Sequence, residues 1–374
     1  MSRLLILSYL DFPFYAGLSR RVEGLIKILS SRGINPIIIS PIFRLNRPLP
    51  HKYNVIYIDL RKLIRIPLNA NILKLVAIGI FSLVSLIYII KLKLNNCLSI
   101  IQYESMYSFA PALIAKLIFN IKILGDDITF LIKKKFFNKV FEAFVLKYSD
   151  YIIVASPEAY SYVSNLRNRT LLIPNGVTIS EFKFSEKIFH RIIFVGSLSY
   201  RENINAIKAI ITISKTLKKE GVDYEILIIG GPQNRIFMGG IDQNIKFLGF
   251  VEQEEYTKIL KSCYIGLLPF FQKYELGGQR IKALEYFSLG ILTISTLEGV
   301  RGIRGLNPNK HFIKVSSIDE MSYKLVKVLK DPEKYLKIAK NGYRFIIRNY
   351  AWSMTTRQYG QLIESLLSSS LYEN

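Results

Sequence analysis

The sequence is poor in cysteine, histidine and tryptophan. Its 374 residues include two cysteines, three histidines and one tryptophan. Cys97 and Cys263 stand far apart in apolar surroundings, which argues against a disulfide framework and for a reducing compartment. No cluster of cysteine and histidine has the spacing of a zinc site, and no other pattern predicts a metal or a cofactor. Small domains held together by disulfides or zinc are therefore excluded.

Acidic residues are scarce beside basic ones. Lysine and arginine number 51 against 28 aspartates and glutamates, which gives a formal net charge of +23. This charge predicts attraction to anions, but its sign does not choose among nucleic acid, anionic lipid and a phosphorylated substrate. The sequence contains no recognised nucleic-acid module, so no nucleic-acid partner is expected.

The length suits two domains rather than one, and half of the residues are hydrophobic, which is enough for two cores.

The apolar run at residues 4–10 is followed by Asp11 without a small-residue cleavage pattern, so it predicts a buried first strand rather than a signal peptide. A Gly17 loop, a helix that stops at Gly33 and a second apolar strand then complete a βαβ unit. Because the loop after the first strand borders the ligand crevice in doubly wound sheets, Gly17 and Arg20 are candidate ligand contacts. A cytoplasmic protein is expected.

Carboxylates follow two further predicted strands, at residues 99–103 and 121–125. Carboxylates at the carboxyl ends of parallel strands point into the crevice, so they are candidates for hydrogen bonds to substrate hydroxyls. The alternative is that they cap turns, which aspartate favours. Adjacent aspartates differ from the Asp-x-Asp pattern that holds a metal in another transferase fold, so no metal is inferred. The candidates are Glu104, Asp126 and Asp127.

Two segments of the first half suggest a membrane surface. Residues 72–90 carry Lys74 as their only charge and approach the length of a spanning helix. They also lie between two predicted strands of one sheet, where a crossover helix belongs. A buried crossover helix, a helix that also enters a bilayer surface, and a true span stay open. Residues 130–148 combine lysines, including 133–135, with phenylalanines, which fits either anionic lipid headgroups or a solvated basic face over core aromatics.

The most informative stretch is residues 271–303, FQKYELGGQRIKALEYFSLGILTISTLEGVRGI. It predicts a glycine loop, a helix that Gly290 ends, and a buried strand. Free backbone N–H groups and the positive end of a helix favour an anion there. A carboxylate one turn further along the helix is placed to accept hydroxyl hydrogen bonds, so the pattern indicates a nucleotide. A solvated Lys–Glu pair on an amphipathic helix is the alternative. The candidate residues are Gly277, Gly278, Arg280, Lys282 and Glu285.

This stretch resembles the donor-binding motif of retaining GT-B glycosyltransferases of family 4 (glycosyl transferases group 1), in its Gly-x-x-x-Lys-x-x-Glu variant. The resemblance implies that Glu285 binds the donor ribose. Many members place another glutamate eight residues earlier, and that glutamate acts on the donor sugar. This chain has Gly277 at the position, so the resemblance assigns the contact with the donor sugar to no residue. Arg280, Lys282 and the N–H groups of the glycine pair are then expected to stabilise the departing diphosphate.

The resemblance extends over nearly the whole chain. It implies that the Gly17 loop faces the donor phosphates and that the backbone near Phe250 and Val251 faces the base. After Gly196, Ser197 stands where many members have arginine, and only Arg201 is near the usual lysine position. The Ile-Pro-Asn-Gly-Val turn at 173–177 implies a domain boundary near 184, and Trp352 with the following helix resembles the closing element.

The expected fold is α/β of the GT-B type, with two facing Rossmann-like domains and a cleft between them. Residues 1–184 form the acceptor domain, residues 185–350 form the nucleotide-sugar donor domain, and residues 351–374 cross back to the first domain. The implied reaction moves a hexose-type sugar, with retention, from a nucleotide-sugar to a hydroxyl of a saccharide or lipid-linked acceptor. Glu104, Asp126 and Asp127 become acceptor-side candidates, with Asp127 as the catalytic one.

Two alternatives stay open. One is a GT-B-like protein without turnover that binds a membrane surface, and the other is a nucleotide-sugar epimerase of the same fold. The apolar and basic segments of the first half place the expected enzyme on the cytoplasmic face of an anionic membrane.

Overall fold

The computed structural model describes residues 3–9, 12, 17–43, 53–63, 69–126, 136–166, 169–231, 242–272 and 278–372. The chain forms two compact units. The first unit comprises residues 1–176, 276–278 and 355–374, and the second unit comprises residues 177–275 and 279–354. The units divide at 176 and 354, near the expected 184 and 350, and a bridge joins Val177 to Ala351 within the second unit.

The first unit is built on a parallel sheet with the strand order β3-β2-β1-β4-β5-β6-β7. Isoleucine, leucine and valine dominate these strands because helices cover both faces of the sheet. The strands are β1 (Leu4–Leu7), β2 (Ile37–Ile42), β3 (Val55–Asp59), β4 (Ile100–Tyr103), β5 (Lys122–Asp126), β6 (Tyr151–Val154) and β7 (Thr170–Leu172). The helices are α1 (Gly17–Ser30), α2 (Ala70–Leu94), α3 (Phe109–Phe119), α4 (Phe136–Tyr148) and α5 (Pro157–Ser164).

The second unit repeats this plan with the strand order β10-β9-β8-β11-β12-β13, again with parallel pairs. The strands are β8 (Ile188–Val195), β9 (Glu225–Ile229), β10 (Ile245–Gly249), β11 (Cys263–Leu268), β12 (Leu292–Ser295) and β13 (Ile313–Lys314). The helices are α6 (Arg201–Lys219), α7 (Gln253–Ser262), α8 (Ile281–Ser288), α9 (Ile318–Lys330) and α10 (Leu336–Tyr350). The predicted α/β class with two Rossmann-like units is confirmed.

The C-terminal segment returns to the first unit. After the short helix α11 (Trp352–Thr355), helix α12 (Arg357–Tyr372) packs against α1. Arg32 donates to Glu364 at 2.6 Å, and Tyr359 is fully buried among residues of the first core. The predicted crossing of the last helix back to the first domain is confirmed.

Helix α2 connects β3 to β4, two strands of one hydrogen-bonded sheet. The stretch Asn71–Leu94 is long and apolar enough to cross a membrane by length and composition. A span would nevertheless separate β3 from β4, and Phe81 and Ile89 of the helix are buried in the core beside the sheet. The predicted place of this helix as a crossover between two strands is therefore confirmed, although most of its apolar side chains are exposed or partly exposed rather than buried. The attachment of both ends to one sheet argues against a span.

Candidate active site

The second sheet reverses its strand order between β8 and β11. The chain enters at β8, continues outward through β9 and β10, and returns to the other side of β8 at β11. In open parallel sheets, ligands bind outside the carboxyl ends of the strands at such a reversal. Gly196 follows β8 at this edge, Phe250 and Val251 follow β10, and the segment before α8 follows β11.

The predicted helix and strand appear as α8 and β12, and the segment before them follows β11. Residues 273–277, and with them Gly277, lie outside the described residues. Gly278 is exposed, and α8 begins at Ile281 rather than directly after the glycine pair. Gly290 takes a φ of 62°, and a Cβ there would lie 2.5 Å from the Phe182 ring, so this turn requires glycine. The prediction that Gly290 ends the helix is confirmed.

Lys282 projects from the first turn of α8 to the strand reversal. Its ammonium lies 4.8 Å from the ring centroid of Phe194 in β8 and 5.1 Å from that of Phe270, which follows β11. Burial and, to a lesser extent, the nearby Arg280 lower the pKa of Lys282 to about 7. A cation held over two aromatic faces at this point is poised to gain an anionic partner.

Asn203 orients this ammonium. Lys282 Nζ donates to Asn203 Oδ1 at 2.9 Å, and Asn203 Nδ2 donates to the carbonyl of Ser197 at 2.8 Å. A Cβ on Gly196 would lie 2.7 Å from Asn203 Cγ, so only glycine leaves room for this side chain. Gly196 thus leaves the space in which Asn203 reaches Lys282. The sequence analysis missed Asn203 because it resembles any polar residue at the start of a helix.

Arg280 belongs to a second charged group at the same edge. Its guanidinium lies 4.4 Å from the Phe270 centroid and donates to Glu298 at 3.1 Å, while Arg301 donates to the same Glu298 oxygen at 3.0 Å. Two guanidinium groups thus share one carboxylate beside Lys282, which leaves the cluster with excess positive charge. Glu298 and Arg301 stand in the quoted motif but were not singled out there, since their spacing alone does not show that they face Arg280.

Glu285 lies one turn along α8 from Lys282. Its Oε2 accepts a hydrogen bond from the Tyr256 hydroxyl of α7 at 2.9 Å, and its side chain is partly buried. The next residue, Tyr286, is fully buried and accepts a hydrogen bond from the Val195 N–H at 2.9 Å, which fixes α8 to β8. Glu285 is thus held in one orientation on the same helix as the cationic group. Its expected contact with a ribose stays a prediction.

The other donor-side candidates also lie at this edge. Ser197 donates to the Gly231 carbonyl at 3.2 Å, so it links the loops after β8 and β9. Arg201 begins α6 and is exposed, and Phe250 is 45% exposed beside the buried Val251. The resemblance implies that the backbone of these two residues faces the base, and this contact stays a prediction.

The acceptor-side candidates of the first unit lie deeper than expected. Asp126 is fully buried and pairs with the buried Arg21, whose Nη2 lies 2.6 Å from its Oδ1. Arg21 also donates to the Ile173 carbonyl and to Asn175. A contact between Asp126 and an acceptor would require this pair to open. The neighbouring Asp127 lies outside the described residues.

Glu104 is also buried, at the carboxyl end of β4. It accepts from Gln102 Nε2 at 2.8 Å, and the Gln102 oxygen accepts from the Tyr359 hydroxyl of α12 at 2.6 Å. The sequence analysis therefore found the acidic residues but missed their partners. Gly17 is the first residue of α1 and Arg20 is partly exposed in its first turn, near the strand reversal between β1 and β4.

Metal ligands do not cluster in the part of the chain that the structure describes. No group of three or more histidine, cysteine, aspartate or glutamate side chains there is placed to hold a metal ion.

Residues 189–331 match the family model of glycosyl transferases group 1. An uncharacterized glycosyltransferase of Methanocaldococcus jannaschii is 23% identical in an alignment 254 positions long, which covers 62% of this chain and 63% of that protein. In structure, the chain resembles a sucrose-phosphate synthase of Thermosynechococcus elongatus (TM-score 0.77, 17% identity, 98% and 100% of the two chains). It also resembles HepE of Anabaena, solved with UDP and glucose (TM-score 0.71, 12% identity, 98% and 100%). The predicted GT-B fold and the resemblance of residues 189–331 to group 1 glycosyltransferases are confirmed, whereas family 4 and retention stay predictions.

Proposed function

We propose that this chain, whose second unit matches the group 1 glycosyltransferases, moves a sugar from a nucleotide-sugar to an acceptor hydroxyl. One observation carries the proposal: Lys282 is held by Asn203 and two aromatic rings at the strand reversal of the second sheet. A partly buried lysine with a lowered pKa in such a position suits an anionic ligand.

Departure of the nucleoside diphosphate develops negative charge while the sugar becomes oxocarbenium-like. Cations that are already oriented stabilise this transition state more than the ground state. Glu298 orients Arg280 and Asn203 orients Lys282, so neither side chain has to reorganise during the reaction. Loss of either cation is expected to lower turnover roughly 100-fold.

The proposed reaction proceeds with retention. When attack comes from the face that the diphosphate leaves, a diphosphate oxygen accepts the proton of the acceptor hydroxyl. Such a step needs no histidine base, and the three histidines of the chain stand in no recognised motif. Glu285 would hold the ribose hydroxyls and so fix the donor above the cations.

The proposed donor carries a hexose-type sugar, and the proposed acceptor is a saccharide, free or lipid-linked. The similar Anabaena protein was solved with UDP and glucose, and another similar fold is that of a sucrose-phosphate synthase. These neighbours support a nucleotide-sugar donor. Soluble and lipid-linked acceptors have to be compared in the same transfer assay.

A panel of nucleotide-sugars tests the proposal. Full-length protein is first screened for thermal stabilisation, because a ligand at 100 times its dissociation constant adds about 2.7 kcal/mol. Stabilising donors are then incubated with saccharide and lipid-linked acceptors, and products are identified by mass spectrometry. Release of nucleoside diphosphate together with a glycosylated acceptor supports the proposal. An isomerised nucleotide-sugar formed without acceptor indicates an epimerase, and stabilisation without any product indicates a binding protein.

A further inference from the structure

Helix α2 is apolar on two opposite sides. Its inner side, with Ala77, Phe81 and Ile89, is buried in the first core. Its outer side carries a second apolar stripe at helical spacing, with Leu83 63% and Leu94 75% exposed. The exposed members of the outer side are Ile72, Leu75, Val76, Ile80, Leu83, Ile87, Ile90 and Leu94.

The neighbouring helix α3 continues this surface. It packs against α2, and Leu117 and Ile118 are 66% and 64% exposed. We call the exposed apolar side chains of α2 and α3 the apolar face. Beyond α3, Phe141 and Phe144 of α4 pack edge-on against the Phe109 ring and stay partly exposed. Soluble monomers rarely expose so many large apolar side chains in one place.

The charged residues on the two helices that carry the apolar face are all lysines. Neither α2 nor α3 contains an aspartate or glutamate. Lys91 and Lys93 stand in the last turn of α2, and Lys74 near its start donates to the half-exposed Tyr107 hydroxyl at 2.7 Å. Lysines and a tyrosine at the ends of an apolar helix suit the boundary between lipid tails and headgroups.

We propose that the apolar face rests on an anionic lipid bilayer, with α2 lying in the plane of the interface. The helix cannot span because β3 and β4 hold its two ends in one sheet. An anionic surface matches the basic rim and the net charge of +23, whereas a second copy of the chain would bring the same charge and repel it.

The apolar face shares one of its two helices with the membrane surface that the sequence suggested. Residues 72–90 were expected to act with a basic aromatic helix at 130–148. Helix α4 begins at Phe136, and Lys133–Lys135 lie outside the described residues. The role expected for these lysines therefore stays a prediction, and α3, which packs against α2, is the member of the apolar face that the sequence did not indicate.

Vesicle co-sedimentation of the full chain tests the proposal. We expect binding to vesicles that mix phosphatidylcholine with phosphatidylglycerol, and weaker binding to phosphatidylcholine alone. The double change Leu83→Glu and Ile87→Glu should lower the bound-to-free ratio at least about tenfold. The double change Lys91→Gln and Lys93→Gln should lower it about fivefold for each lysine. The matched control is Ile179→Glu, an exposed isoleucine of the second unit, which should leave binding unchanged.

A fluorescence measurement separates insertion from adsorption by charge alone. In a Leu83→Trp variant, brominated lipids should quench the added tryptophan, whereas in Ile179→Trp they should not. Wild-type protein, with Trp352 as its one tryptophan, provides the background. Vesicle binding that salt abolishes, without quenching at Leu83, would overturn the proposal.

Two further outcomes would also overturn it. One is binding that Leu83→Glu with Ile87→Glu leaves intact in variants that melt like wild type. The other is a lipid-free dimer, seen by light scattering, that the same double change dissociates, since the apolar face would then meet a second copy. Vesicle binding does not depend on sugar transfer, so failure of either proposal leaves the other standing.

Discussion

Nucleotide binding should weaken as the pH rises above 7, and Lys282 should be the cause. Burial and Arg280 lower the pKa of this lysine to about 7 in the free protein. A bound diphosphate favours the charged form and raises that pKa again, so binding takes up a proton. Above pH 7 the dissociation constant should therefore rise about tenfold per pH unit, or about 1.4 kcal/mol.

Titration calorimetry with UDP, ADP and GDP from pH 7.5 to 9 measures this slope for whichever nucleotide binds. A terminal phosphate loses its second proton near pH 6, about 1.5 units below this range, so the ligand itself contributes little. At pH 8, two buffers of different ionisation enthalpy should report about 0.9 protons taken up per nucleotide. Lys282→Arg keeps its charge throughout and should remove the slope, and Lys282→Met should bind weakly at every pH.

Lys187 provides the matched control. Burial lowers its pKa to about 8, so it titrates in the same range, but it precedes β8 and donates to the Cys263 carbonyl at the opposite end of the sheet. Lys187→Gln should therefore keep the slope in binding. A flat wild-type profile, or a slope that survives in Lys282→Arg, would refute the reasoning.

Three further results are expected. Asn203→Ala should weaken nucleotide binding about tenfold at pH 7.5 and shift its pH dependence lower, because the Lys282 ammonium loses its acceptor; the same titrations would show this, and an unchanged profile would contradict it. Glu285→Gln should cost on the order of 1.5–3 kcal/mol of nucleotide affinity, and equal affinity in a folded variant would remove its role on the ribose. Arg21→Met should lower the free energy of unfolding by about 3–5 kcal/mol, since Asp126 would stay buried without its cation; urea denaturation measures this, and an effect below about 1 kcal/mol would speak against the buried pair.

Local sequence signals predicted the parts of the fold that adjacent residues determine. Apolar runs such as Leu4–Leu7 and Leu292–Ser295 form buried parallel strands, and Gly290 ends α8 because its turn needs a positive φ. The helix that carries Lys282 and the strand after it were predicted from the same short-range pattern. A crossover helix was one of three interpretations of residues 72–90, and it rested on their place between two predicted strands.

The long-range polar partners could not be predicted. Lys282 and Asn203 are separated by 79 positions, and Arg21 and Asp126 by 105. Nothing in the neighbourhood of Asn203 distinguishes it from a solvated residue, because its role depends on the approach of α8 to the loop after β8. Asp126 was expected at a crevice, but the folded sheet brings Arg21 over it and buries both.

A crystal structure of the full chain with the stabilising nucleotide tests the central claim most directly, which is that the strand reversal of the second sheet holds the donor diphosphate. The account predicts phosphate oxygens within about 3 Å of Lys282 Nζ and ribose hydroxyls at similar distance from the Glu285 carboxylate. A nucleotide bound elsewhere, with Lys282 still donating to Asn203 and no phosphate beside it, would contradict the account.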